Sequence, residues 1–298
     1  MPTIPTIIAI ETSSEAASVA LLRDDTVISR VSSGVRTHSQ SVLPMIQELL
    51  AEAGITLKDC SAIAFGAGPG SFTGVRTACG VAQGLAFGAS LPVVPVVTLD
   101  AMALACHQQH GAADVLAVLD ARMGEVYWAQ YRFDITAAVA TPTVVQPAVL
   151  SAPAAVQAQG KPVFCGNGLA AYAEAFGGVA EGGFATIMPH AEQIARLAAI
   201  ELAAGRTVTA ADAQPLYLRN KVAYTQAERR TMPSAKPRES AKPSPKPVRL
   251  SVSPRRWNGT KTASFCAAGM PGPKSTTRIS VRPANWLAAR IGRRIPPP

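Results

Sequence analysis

Ile7-Ile8-Ala9-Ile10 is an unbroken apolar run closed by the polar turn Glu11-Thr12-Ser13-Ser14, and two further apolar runs, residues 17–22 and 26–28, flank Asp24-Asp25. Runs of this length separated by turn residues predict a buried strand leading into a hairpin. From Ser41 onward Val42, Leu43, Met45, Ile46, Leu49, Leu50 and Ala53 recur at helical spacing, and Gly54 stands where a C-terminal cap belongs, which predicts a helix. Residues 62–66 then read as a short buried strand, 68–74 as a glycine-rich loop, 75–87 as a second helix and 92–97 as a further strand. The second half repeats the theme, with a hairpin of residues 115–119 and 125–131 around 121–124, a strand at 162–165 before Gly166-Asn167-Gly168, and a long helix over 191–204. Hairpin followed by strand, loop and helix, occurring twice, predicts two related α/β lobes, residues 1–109 and 110–228.

From Arg229 the pattern fails, with eight Leu, Ile or Val among 70 residues and runs such as Pro243-Ser244-Pro245-Lys246-Pro247. Charge divides at the same place. The formal charge of +9 over 298 residues suggests a nucleic-acid binder. Up to Glu228, however, 12 basic residues face 18 acidic ones, whereas 229–298 holds 16 basic residues, one acid and half of the 24 prolines. The expectation is an acidic body carrying a solvated basic tail, of the kind an out-of-frame reading of GC-rich coding sequence produces. Five widely spaced cysteines without a CxxC pair suggest neither a zinc ribbon nor a disulfide scaffold and fit a reducing compartment. The uncharged stretches 77–99 and 135–160 are broken by prolines, so neither reads as a membrane span. A cytoplasmic protein without a signal peptide is expected.

The sharpest local motif is Gly68-Pro69-Gly70-Ser71-Phe72-Thr73-Gly74-Val75-Arg76, a turn between a buried strand and a helix. It can aim backbone N–H groups at an anion with Arg76 as counter-charge, or it can be a tight turn with Ser71 or Thr73 as N-cap. Thr12 and Ser13, after the first strand, carry the same two readings. It is not a Walker A loop, because no Gly-Lys-Ser/Thr follows. His107 and His110 follow Cys106 in a stretch that reads as surface, better as solvated helix-end residues than as ligands, and Asp120 and Glu125 flank a hairpin. Gly80, Gly84 and Gly88 fall four apart, on one helical stripe where another backbone can approach closely, within the lobe or from a second molecule.

Ile10-Glu11-Thr12-Ser13, then residues 37–46, then Gly68 to Arg76, Gly84-Leu85-Ala86, Asp120 to Tyr127 and Pro215-Leu216-Tyr217-Leu218-Arg219 resemble, in that order, the TsaB (YeaZ) family over residues 5–228. The resemblance implies an actin-like (ASKHA, ribonuclease H-like) fold of two lobes and ends where the basic tail begins. It further implies a non-catalytic subunit for threonylcarbamoylation of adenosine 37 in tRNAs that read ANN codons. Such a subunit docks as a heterodimer on a TsaD-type catalytic subunit, works with a TsaE-type ATPase, meets tRNA through the complex, and could pair with itself in isolation. No cofactor is expected on this chain alone, and ATP belongs to the level of the complex. The catalytic paralogue carries a His-x-x-x-His metal pair; Thr98 and Met102 stand in its place here, with Asp100 between them. The helices 39–53 and 75–87 are the expected partner surface, through Val42, Met45, Ile46, Leu49, Gly80 and Gly84. Two other readings stay open: an enzyme of the same fold, metallopeptidase-like or a nucleotide-dependent carbamoyl transferase, and a nucleic-acid-binding module built on the tail.

Overall fold

The computed structural model describes residues 5–32, 38–134, 136, 140–179 and 182–219, and the backbone of 278–279. Residues up to 219 belong to one compact unit that holds both sheets, and the second unit, 220–273, lies outside the described residues, as does the rest of the tail apart from the backbone of 278–279.

In the first sheet β1 (Ile7–Glu11), β2 (Ala17–Arg23) and β3 (Thr26–Ser32) form an antiparallel meander. β4 (Ala62–Gly68) then pairs parallel to β1, and β5 (Val93–Val97) parallel to β4. The β2–β3 turn is as tight as its sequence suggests, with Asp24 and Asp25 both in the left-handed region (φ 49° and 62°). The second sheet repeats the plan with β6 (Asp114–Arg122), β7 (Glu125–Phe133) and β8 (Pro142–Ser151) antiparallel and β9 (Val163–Cys165) parallel to β6. At the open edge of the first sheet Arg278 and Ile279, β10, lie antiparallel to Ile28 and Val27 of β3.

Helices α1 (His38–Ala53) and α2 (Phe72–Ala89) cover one face of the first sheet, closing a core of Ile8, Ile10, Val19, Leu21, Ile63 and Phe65. Its other face meets α3 (Thr98–His110) and α6 (Ala191–Ala203), and α3 also packs on the second sheet. The short helices α4 (Gly168–Ala171) and α5 (Ala173–Phe176) lie on the outer face of that sheet, over Leu116, Val118 and Trp128. With helices on both sides, β1 is buried at all five residues, so its apolar run shows no alternation.

Two elements depart from the sequence reading. The helix α3 carries no apolar period, yet eight of its residues are buried, because it lies between two sheets and has no solvent stripe. Cys106, read as surface, is accordingly fully buried. β8 lies in a stretch dense in proline; it is a half-exposed edge strand, where a missing N–H is tolerated.

Candidate functional site

β1 and β4 run parallel and end side by side, so the turns that follow them meet. Glu11, the last residue of β1, is fully buried; its Oε1 accepts from the Ser13 amide at 2.5 Å and its Oε2 from the Thr98 hydroxyl at 3.5 Å. Thr98 Oγ1 in turn accepts from the Gly68 amide at 3.1 Å. Burial raises the Glu11 pKa, and hydrogen bonds from Ser13, Thr98 and Thr12 work against that rise. A Cβ at Gly66 would fall 1.9 Å from Glu11 Oε2, so the carboxyl occupies the space a side chain on β4 would need.

The two turns then bond to each other. Thr12 Oγ1 donates to the Gly74 carbonyl at 2.7 Å, and the Ser71 amide donates to the Ser13 carbonyl at 2.8 Å. Cβ atoms at Gly70 and Gly74 would lie 2.6 Å from Ser13 Cβ and 1.9 Å from the Thr12 carbonyl. Of the two readings open for the glycine-rich loop, this close approach of backbone to backbone gives its glycines a packing role. Gly68 adds a conformational one (φ 104°). Ser71 is the N-cap of α2, accepting from the Gly74 amide, so the helix starts at Phe72 rather than at residue 75. Thr73 is exposed in the first turn.

Arg76 is exposed and occupied by aromatic partners. Its guanidinium lies 3.6 Å from the Phe72 ring centroid, and Nε donates to the Tyr217 hydroxyl at 2.7 Å. No local signal marks Thr98 or Tyr217 as partners of this region: they stand 87 and 141 residues from Glu11 and Arg76, and only the fold brings them there.

Thr98, Asp100 and Met102 face different partners, Thr98 the Glu11 carboxyl and Asp100 the Tyr131 hydroxyl. Thr98 and Met102 are fully buried, and Asp100 Oδ1 accepts from the Tyr131 hydroxyl at 2.6 Å. Burial pushes the Asp100 carboxyl up to about 6, with the Glu201 charge adding to the rise. Among the described residues no group of three or more His, Cys, Asp or Glu could hold a metal ion. His107 stacks on Phe133 and His110 on Phe184, while His190 caps α6 by accepting from the Glu192 amide. Asp120 accepts from Tyr172 and the Arg122 amide, whereas Glu125 pairs with Arg219, so the two carboxylates serve different partners.

On the two outer helices the structure corrects the expected interface residue by residue. Val42, Met45, Ile46 and Leu49 point into the core beneath α1; exposing such side chains would cost about 1.5–3 kcal/mol each, so they cannot serve an outer surface. The outward face of α1 carries Leu43, Pro44, Gln47 and Glu48 instead. Gly80, Gly84 and Gly88 of α2 do face outward, with nothing among the described residues within 4 Å of a Cβ at any of them, beside Phe87, which is 82% exposed. An open groove of about 590 Å³ lies elsewhere, lined by Ser14, Glu15, Val31, Gln109, Thr186 and His190 among others.

Two lobes, each with a meander followed by a parallel strand, and helices between and outside the sheets make this an actin-like (ASKHA) α/β protein. A family model described as TsaD, tRNA N6-adenosine threonylcarbamoyltransferase, matches residues 26–238. The chain is 43% identical over 224 residues to the tRNA threonylcarbamoyladenosine biosynthesis protein TsaB of Escherichia coli, covering 96% of that protein and 73% of itself. It is 42% identical over 228 residues to TsaB of Haemophilus influenzae, covering 95% of that protein and 74% of itself. The solved structure of YeaZ from Pseudomonas aeruginosa is matched over its whole length and 72% of this chain, at 39% identity and a TM-score of 0.67. The chain belongs to the TsaB (YeaZ) family.

Proposed function

We propose that this chain is a non-catalytic subunit of the machinery that makes threonylcarbamoyladenosine at position 37 of tRNAs reading ANN codons. In this reading it docks on a TsaD-type catalytic subunit through the outward faces of α1 and α2 and stabilises that partner's active conformation. A TsaE-type ATPase and tRNA join at the level of the complex. The observation that carries the reading is the outward glycine stripe. Each glycine in a solvated helix costs about 1 kcal/mol against alanine, and no described residue fills the space around Gly80 and Gly84. A second backbone approaching closely would use that space. Glu11, Thr12, Ser13 and the loop Gly68 to Gly74 then hold the two strand ends together, and the exposed Arg76 lies at the end of the same docking helix.

The test replaces Gly84 by Leu and measures heterodimer formation with the TsaD-type protein of the same organism. The side chain enters open space, so the isolated chain keeps its fold, while overpacking of a close contact weakens docking about 5- to 150-fold. Unchanged affinity would remove α2 from the interface. A modification assay omitting each subunit in turn tests the role itself: threonylcarbamoyladenosine formed by this chain alone would favour an enzyme of the same fold.

A further inference from the structure

After α6 the chain does not leave the molecule but returns across the first sheet as a strap. Val208 exchanges two backbone hydrogen bonds with Val93 of β5, both at 2.9 Å, and the Ala213 carbonyl accepts from Gln83 of α2 at 2.9 Å. The Leu216 amide then donates to Ala67 of β4 at 2.7 Å, and Tyr217 meets Arg76. The strap is thus fixed to the first sheet along its length and ends at Arg219, whose guanidinium crosses to the second sheet. There it donates to the Ala121 and Arg122 carbonyls at 3.0 and 3.3 Å, reaches Met123 Sδ at 2.8 Å and pairs with Glu125 at 2.7 Å.

The turn it grips is unusual. Arg122, Met123 and Gly124 are all in the left-handed region, at φ 63°, 59° and 78°, and two of the three are not glycine. Such conformations persist where surroundings over-determine them, and the Arg219 fork, satisfying two turn carbonyls and the Glu125 carboxylate together, supplies that determination. The Arg219 side chain is 12% exposed, whereas its partner Glu125 is 37% exposed. Arg122, 64% exposed, lies 3.6 Å from Glu15 in the β1–β2 turn, itself 86% exposed; a pair so open adds little strength of its own and depends on where the β6–β7 turn places it.

We propose that residues 205–219 are a latch: anchored on the first sheet, the strap uses Arg219 to hold the β6–β7 turn of the second sheet in its left-handed form, so that releasing one residue loosens that turn. The latch does not depend on which partner the chain docks on, because all of its contacts lie within the chain.

Hydrogen exchange of the full chain tests it, following the peptide over 120–126 and, as controls, 11–16 and α1. Arg219→Ala should speed exchange at least tenfold in 120–126 and leave both controls unchanged, and tryptic cleavage after Arg122 should accelerate with it. Glu125→Gln, which keeps the side-chain length but removes the ion pair, should give the same local pattern at about threefold, and it decides the question if Arg219→Ala does not fold. Unchanged exchange in 120–126 overturns the latch. A uniform rise that includes α1 does the same by making Arg219 a contributor to global stability.

Discussion

Asp100 and Glu11 are buried carboxyls whose surroundings favour the neutral form. For Asp100, the folded value of about 6 lies above the ordinary 3.8, so the native state binds a proton that the unfolded chain has released. Its contribution is therefore fully present below pH 4, and it is lost as pH rises through 6. The groups facing it are the Tyr131 hydroxyl, which bonds to it, and the Glu201 carboxylate, which repels its charge. Asp100→Asn keeps an acceptor for Tyr131 and removes the ionisation. It should raise stability at pH 7.5 by about 1–3 kcal/mol, with the gain vanishing by pH 4. Thermal unfolding at both pH values measures this, and an equal gain at the two would remove ionisation as the cause. Neither the burial of Asp100 nor its link to Tyr131 is legible in the chain, since the two stand 31 residues apart on different elements.

At the scale of elements, glycines of similar local sequence carry opposite meanings. Gly74→Ala would drive a Cβ to 1.9 Å from a backbone carbonyl, and Gly66→Ala to the same distance from the held Glu11 carboxylate. Each should cost about 1–3 kcal/mol. Gly80→Ala meets open space and should gain about 1 kcal/mol from helix propensity. Urea unfolding of the isolated variants separates the two classes, and a loss at Gly80 would mean the stripe packs on something within the chain. The helix α1 was legible because burial on one side alone imposes a period. For α3 the second sheet removes that period, and for the α1 interface set the period named the right residues while the inference ran to the wrong side. Val42, Met45, Ile46 and Leu49 form the stripe that faces inward.

For the whole molecule, the charge division makes a further expectation. Residues up to 228 carry net −6 and the rest net +15, so a chain ending at 230 should lose retention on a cation exchanger at pH 7. Its thermal midpoint should move by less than the 2–4 °C that 1 kcal/mol produces in a domain of this size. Two residues paired at one sheet edge, Arg278 and Ile279 on β3, are too few to shift it further. Modification activity in the reconstituted complex should also survive the truncation. A midpoint lower by several degrees, or lost activity, would show that the tail packs or functions.

Local chemistry determined much by itself. Strand runs, the Asp24-Asp25 turn, the α1 period and the Ser71 cap follow from the preferences of neighbouring residues, and the ordered motifs were enough to bring out the family resemblance. The tertiary structure decided everything that depends on distant residues sharing a space. It made the glycines of the 68–74 loop a contact surface for Thr12 and Ser13, joined Thr98 to Glu11 and placed α3 between two sheets. It also brought Arg219 to a turn nearly a hundred residues away. The physical reason is the same throughout: periodicity and capping are written within a turn or two of chain, whereas desolvation and steric fit belong to neighbours that sequence order does not name.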